Sequence, residues 1–182
     1  MRVITGTARG RRLETLPGED ITRPTSEKVK EALFSMIQFD IEGRRVLDLF
    51  SGCGQLGIEA LSRGADFCFF IDSNKSAAEI TRKNIDACGF RYSSDVRCVD
   101  SMVFVSGTKE LFDIALLDPP YKSGLLQRVL EKLPDCMSDH GIIVCEHSAD
   151  ELLPVKIGDF LLQRTRTYGK TIALSLYRKG VE

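Results

Sequence analysis

The segment "ALLDPPYKSG", Ala115 to Gly124, closes an apolar run with a carboxylate, two prolines and a tyrosine. Proline offers no backbone N–H and holds the residue before it extended, so the double proline stops a strand and stiffens the loop that follows. Asp118 and the carbonyl of Pro119 supply acceptors for both N–H groups of an exocyclic amine. Such an amine is a poor nucleophile because its lone pair is delocalised into the base. Accepting both protons localises the lone pair, and aiming it is then most of the catalysis. Pro120 keeps the loop rigid, and Tyr121 is placed to stack on a base removed from its own stack.

A second group lies upstream. "GCGQLG" matches G-x-G-x-x-G between an expected strand and an expected helix, and Asp72 ends the next strand roughly 20 residues on. Gly52, Gly54 and Gly57 let the backbone approach a nucleotide-like ligand closely. Asp48, just before the loop in "LDLFSGCG", would repel a pyrophosphate held at the helix N-terminus. It favours a ligand with a cationic amine, such as the methionine part of S-adenosylmethionine. Asp72 is placed to accept hydrogen bonds from ribose hydroxyls, and Asp100, in "CVDS", from an adenine amine. Each aspartate alone is equally suited to capping. Three at successive strand ends, on the edge where open α/β sheets bind ligands, favour a site.

The elements that must position these residues alternate. After Gly43 come strands at "RRVLDLF", "FCFFID", "DVRCVD", "DIALLD" and "GIIVCEH", with helices after the glycine loop, over Lys75 to Cys88 and over Leu125 to Leu133. This pattern predicts a parallel sheet with helices on both faces. "FLLQRTRTYGKTIALSLYR" predicts a terminal antiparallel hairpin turning at Tyr168 to Lys170. Ahead of the sheet, Arg2 to Leu16 alternate around "GTARG", a second expected hairpin, and Pro17 to Thr25 are turn-like. From Ser26, Val29, Ala32, Leu33, Met36 and Ile37 follow helical spacing, with Thr25 as N-cap and Lys28 and Lys30 outward. The division expected is an extension over residues 1–25 and a main domain over 26–182.

Composition sets the context. At 182 residues with 43% hydrophobic side chains, the chain suits one buried core. Its 25 Lys plus Arg balance 26 Asp plus Glu, so any basic surface must come from clustering. Six cysteines without a C-x-x-C pair point to buried reduced thiols in a cytoplasmic protein, and two histidines argue against a metal site. No apolar run nears the roughly 20 residues of a membrane span, and "MRVITGTARGRR" lacks a signal-peptide core.

"DLFSGCGQLGIEALSRGA", "FIDSNKSA", "NID" and "LLDPPYKSG" resemble the Rossmann-like (class I) S-adenosylmethionine-dependent methyltransferases. "RVITGTARGRRL", "RPTSEKVKEALFSMI" and "YGKTIALSLYR" resemble, more narrowly, the bacterial 16S ribosomal RNA guanine-N2 methyltransferases of the D type. The resemblance implies a mostly parallel seven-stranded sheet, S-adenosylmethionine as cofactor, and methyl transfer to one guanine of 16S ribosomal RNA in a small-subunit assembly particle. It implies donor-binding positions at Asp48, Phe50, Ser51, Gly52, Gly54, Gly57, Asp72, Ser73, Asp100, Ser101 and Asp118. Asp118, Pro119, Pro120 and Tyr121 carry over as the catalytic motif. A monomer without metal is expected. The chain departs from the family at "SGCGQ", where small residues are usual, and at "TGT", where a double glycine is usual. Cys53 is expected to pack rather than to act as a nucleophile.

For holding RNA, Arg2, Arg9, Arg11 and Arg12 cluster without an acidic neighbour in the first twelve residues, Arg23 follows, and Lys122 directly succeeds the tyrosine. Such charges suit phosphate contacts. D-P-P-Y is also shared with adenine-directed methyltransferases acting on DNA or RNA, which leaves an adenine-N6 enzyme as the alternative. A catalytically silent nucleotide-binding module and a nicotinamide oxidoreductase fit less well. The intact D-P-P-Y loop opposes the first and Asp48 the second.

Overall fold

The computed structural model describes residues 1–16 and 24–180. Arg23 and most of the expected turn before the first helix lie outside them. The elements run α1 (Pro24–Met36), β1 (Arg45–Asp48), α2 (Gln55–Ser62), β2 (Phe67–Asp72), α3 (Lys75–Cys88), β3 (Ser94–Cys98), α4 (Ser101–Gly107), β4 (Phe112–Leu117), α5 (Leu125–Lys132), β5 (Met137–Ser148), β6 (Lys156–Ile157), β7 (Phe160–Tyr168) and β8 (Ile172–Lys179). Among the described residues these strands form one sheet in the order β3-β2-β1-β4-β5-β8-β7-β6.

β1 pairs in parallel with β2 and β4, β2 with β3, and β4 with β5. β8 returns antiparallel beside β5 and β7 closes against it, as expected from the terminal hairpin. The inner parallel strands β1, β2 and β4 are apolar on both faces because both are covered, whereas the edge strand β3 is polar and only partly buried. Val46, Ile114 and Val144 face α1 and α2, whereas Leu47, Ala115 and Ile143 face α4 and α5. Among the described residues no helix is long and apolar enough to cross a membrane.

Several expectations change. The sheet has eight strands rather than seven among the described residues, since the two-residue β6 adds to β7. α4 was not expected, because "SMVFVSG" is short and rich in poor helix formers. α1 begins at Pro24, two residues earlier than expected, where proline's fixed φ suits a helix's first turn. The amino-terminal segment forms one antiparallel bridge, Arg2 with Arg12, rather than a hairpin ladder.

What holds that segment is a buried ionic knot. Glu59 on α2 is 0% exposed and accepts the N–H groups of Ile4 (2.8 Å) and Thr5 (3.0 Å) and the guanidinium of Arg63 (2.9 Å). Lys30, expected to face outward, is 2% exposed: its Nζ stands 3.3 Å from Glu59 and donates to the Arg2 carbonyl at 2.7 Å. A charge in the apolar stretch "GIEALS" needs a partner, and Lys30 supplies it. Burial lowers the Lys30 pKa, and Glu59 works against that fall. Gly6 completes the seat. Its φ is +88°, and a Cβ there would lie 1.6 Å from the Ser62 carbonyl oxygen, so the single glycine of "TGT" stands where close approach demands one. Val3, Ala8 and Leu13 join the core shared by α1 and α2.

Removing one member of a buried ion pair strands the other, so Glu59→Ala is expected to cost roughly 3 to 5 kcal/mol in denaturant unfolding. Adding Lys30→Met should recover only part of this, because the Ile4 and Thr5 N–H groups stay unpaired.

Candidate active site

The carboxyl ends of the parallel strands meet where the strand order reverses between β1 and β4, the usual ligand position in open α/β sheets. Asp48 ends β1, Asp72 ends β2, Asp100 follows β3 and Asp118 follows β4. All four line one cavity of about 670 Å³, together with Phe50, Ser51, Gly52, Ser73, Ser101, Pro119, Pro120 and Tyr121. Gln55 and Cys53, the departures in the glycine loop, also border it.

Asp48 is 1% exposed. Its Oδ2 accepts the Gly57 N–H at 2.8 Å, while Oδ1 has no hydrogen-bond partner among the described residues. The hydroxyl of Ser51, buried in the same wall, also lacks one. Buried polar atoms without partners are costly, and two in one cavity wall fit a ligand that brings hydrogen-bond donors and positive charge. Burial pushes the Asp48 carboxyl up to about 7; the Gly57 N–H opposes that rise and the charge of Asp72 adds to it.

The loop between them is held by side chains of β2 and α3 that bond to its backbone. Gly52 N–H donates to Asp72 Oδ2 at 2.8 Å, and the Gly52 carbonyl accepts from Thr81 Oγ1 at 2.8 Å. Asn84 Nδ2 donates to the Cys53 carbonyl (2.8 Å) and to the Glu14 carbonyl (2.9 Å), while its Oδ1 accepts the Glu14 N–H (2.8 Å). Asp72 Oδ1 accepts the Asn74 N–H at 2.8 Å, and Asn74 caps α3. Asp100 Oδ1 caps α4 through Met102 and Val103 at 2.8 and 3.0 Å, so the capping role weighed for this residue is real and coexists with its place on the cavity.

Gly54 and Gly57 stand behind the cavity rather than on it. A Cβ on Gly57 would meet Phe70 Cε1 at 2.3 Å and Cys68 Sγ at 2.7 Å, so this glycine lets α2 pack against β2. Cys53 is itself buried, as are Cys68, Cys136 and Cys145, whereas Cys98 is exposed.

At the other wall, burial raises the Asp118 carboxyl well above the carboxylate range, with Glu146 and Asp48 adding to it. Tyr121, 41% exposed at the rim, donates its hydroxyl to Glu146 Oε1 at 2.6 Å. Burial and this bond raise the phenol. Burial raises Glu146 as well, against the pull of the tyrosine. Glu146 was not singled out from the sequence, although "GIIVCEH" repeats the strand-then-carboxylate pattern of the other four strand ends.

The basic residues lie apart. Arg2, Arg9, Arg11 and Arg12 are exposed on the amino-terminal segment and do not line the cavity, whereas Met1, Thr15 and Leu16 do. Arg2 pairs with Glu27 at 3.4 Å. Lys122 has a φ of +60° and lies 3.1 Å from exposed Asp150, a contact weak enough to exchange.

The family model described as conserved hypothetical protein 95 matches residues 1–178. Bacillus subtilis YlbH is 38% identical over 184 residues, covering 98% of this chain and 99% of that one. Ribosomal RNA small subunit methyltransferase D of Escherichia coli is 31% identical over 186 residues, covering 100% of this chain and 91% of that one. The solved structure of yhhF from Escherichia coli superposes with a TM-score of 0.85 at 30% identity, covering 100% of this chain and 99% of that one.

The Asp48 carboxyl has a sign-defined effect on stability. Its folded pKa of about 7 exceeds the unfolded value of 3.8, so its contribution is complete below the unfolded value and is lost as pH rises toward 7. Asp48→Asn keeps an acceptor for Gly57 and removes this loss. Its stability relative to the parent is expected to climb between about pH 4 and 7, by roughly 4 kcal/mol at most, and then level off. Urea titrations across that range measure it.

Proposed function

The chain belongs to the conserved hypothetical protein 95 family, which includes ribosomal RNA methyltransferases, and from that premise we propose that it methylates the exocyclic N2 amine of one guanine in 16S ribosomal RNA. The observation that carries this reading is the single cavity into which both the buried Asp48 and the Asp118–Tyr121 loop open. S-adenosylmethionine, when bound there, supplies an electrophilic methyl group on a positively charged sulfur.

The residues divide by chemistry. Asp48 Oδ1 and the Ser51 hydroxyl accept from the ammonium end of the methyl donor, Asp72 from the ribose, and Asp100 from the adenine amine. Phe50, Gly52, Ser73 and Ser101 border the same volume, while Gly54 and Gly57 shape the loop from behind. Asp118 and the Pro119 carbonyl hold the two N–H groups of the target amine and aim its lone pair. The amine sheds one proton as the new N–C bond forms and the methyl's bond to the donor sulfur breaks, that bonding pair returning to sulfur, and the high affinity of the Asp118 carboxyl for protons makes it the acceptor. Pro120 stiffens the turn and Tyr121 stacks on the extruded base.

RNA is held outside the cavity. Arg2, Arg9, Arg11 and Arg12, with Arg23, make residues 1–25 the phosphate-gripping extension to a methyltransferase domain over 26–182, and Lys122 meets a phosphate flanking the target. The substrate is presented in a cytoplasmic small-subunit assembly particle, and the protein acts as a monomer.

Labelled methyl transfer to small ribosomal subunits lacking the modification, alongside protein-free 16S RNA, tests the reading. N2-methylguanosine identified by mass is the expected product; N6-methyladenosine instead would move the enzyme to the adenine-directed class. Asp118→Ala should lower turnover at least about 100-fold and leave donor affinity, measured by calorimetry, within about twofold. Reversing the charge of Arg11 and Arg12 together should weaken RNA binding and flatten its log–log salt slope by roughly 2.

A further inference from the structure

The guanine-N2 reading leaves one question that the D-P-P-Y loop cannot answer by itself. Asp118 and the Pro119 carbonyl accept two N–H groups from any exocyclic amine, so they do not tell guanine from adenine. The bases differ at the next ring position. Guanine carries an N1–H donor beside its N2 amine, whereas adenine carries an N1 lone pair beside its N6 amine.

Resting on that reading, we propose that Glu146 is a specificity-determining residue, accepting the N1–H of the target guanine and opposing the N1 lone pair of adenine. The placement comes from the sheet. β4 and β5 run parallel with Leu117 opposite Cys145, so Asp118, just past the end of β4, and Glu146, within β5, follow side by side. Glu146 is part-buried, and the Tyr121 hydroxyl, from a residue that lines the cavity, ties Oε1 to the rim at 2.6 Å. Oε2 makes no hydrogen bond among the described residues.

Charge supports the same assignment. Two neighbouring carboxyl groups in a buried setting do not both ionise readily. Burial raises both carboxyls; the Tyr121 hydroxyl works against that rise at Glu146, whereas Glu146 and Asp48 add to it at Asp118. The free Glu146 oxygen, as an acceptor beside the target amine, is matched by a base with a donor next to that amine, which guanine offers and adenine does not.

The test is a substrate swap. Small subunits are reconstituted with 16S RNA carrying either guanine or 2-aminopurine at the target position. 2-Aminopurine keeps the N2 amine but places a lone pair at N1, and its missing O6 affects every protein alike. The parent enzyme is expected to prefer guanine by about 100-fold or more in kcat/KM, since a site built around a donor rejects an analogue that lacks it. Glu146→Gln still accepts from Tyr121 and adds an amide N–H for the N1 lone pair, so the preference should shrink at least about tenfold. Glu146→Ala should shrink it too. A purely structural Glu146 would lower both substrates together, so a preference unchanged in both variants overturns the proposal. Absence of N2-methylguanosine with the parent enzyme on guanine would instead overturn the function on which it rests. Donor binding by calorimetry shows that each variant is folded.

Discussion

Asp48 is sealed at the end of β1 with one oxygen on the Gly57 N–H, and the placement of α2 follows from that bond. The amide must face the carboxylate, and the helix must come close enough to β2 that a Cβ on Gly57 would overlap Phe70 and Cys68. Two residues further along, Glu59 therefore points to a different side of α2, under the amino-terminal segment. There it needs Lys30 from α1. One buried carboxylate on β1 thus orients a helix whose own carboxylate anchors both α1 and the basic loop.

The chain is nearly neutral overall but strongly sorted. Asp48, Asp72, Asp100 and Asp118 gather inside one cavity, and the exposed arginines stand outside it. This separation suits two ligands of opposite charge. In the proposed function, the cationic methyl donor and the donors of a base edge go with the carboxylates, and the phosphates of RNA with the arginines. Burial raises Asp48 and Asp118 and the neighbouring carboxylates add to the rise, so the cavity is least comfortable when empty. That discomfort favours whatever cation or N–H group fills it.

Strand and helix order was legible because the apolar runs were long and unambiguous: β2 and α3 fall where the pattern put them. Aspartates at strand ends were legible as a group for the same reason. Lys30 was not, because helical spacing marks apolar positions and gives no sign that a lysine on the rim of that stripe will find a buried glutamate. α4 was hidden by its β-branched composition and is specified mainly by its Asp100 cap. Gly57 matched a ligand-binding pattern, yet its neighbours are a phenylalanine and a cysteine, and only packing reveals that. Glu146 carried the signal and lacked only the register that sets it beside Asp118.

The amino-terminal segment is bound by Glu59, Ser62 and Asn84, across separations of 54 to 70 residues. Every one of these side chains lies later in the chain than the segment it seats. The seat is therefore incomplete until α3 has formed, so the arginines reach their final positions only after residues far along the chain have folded.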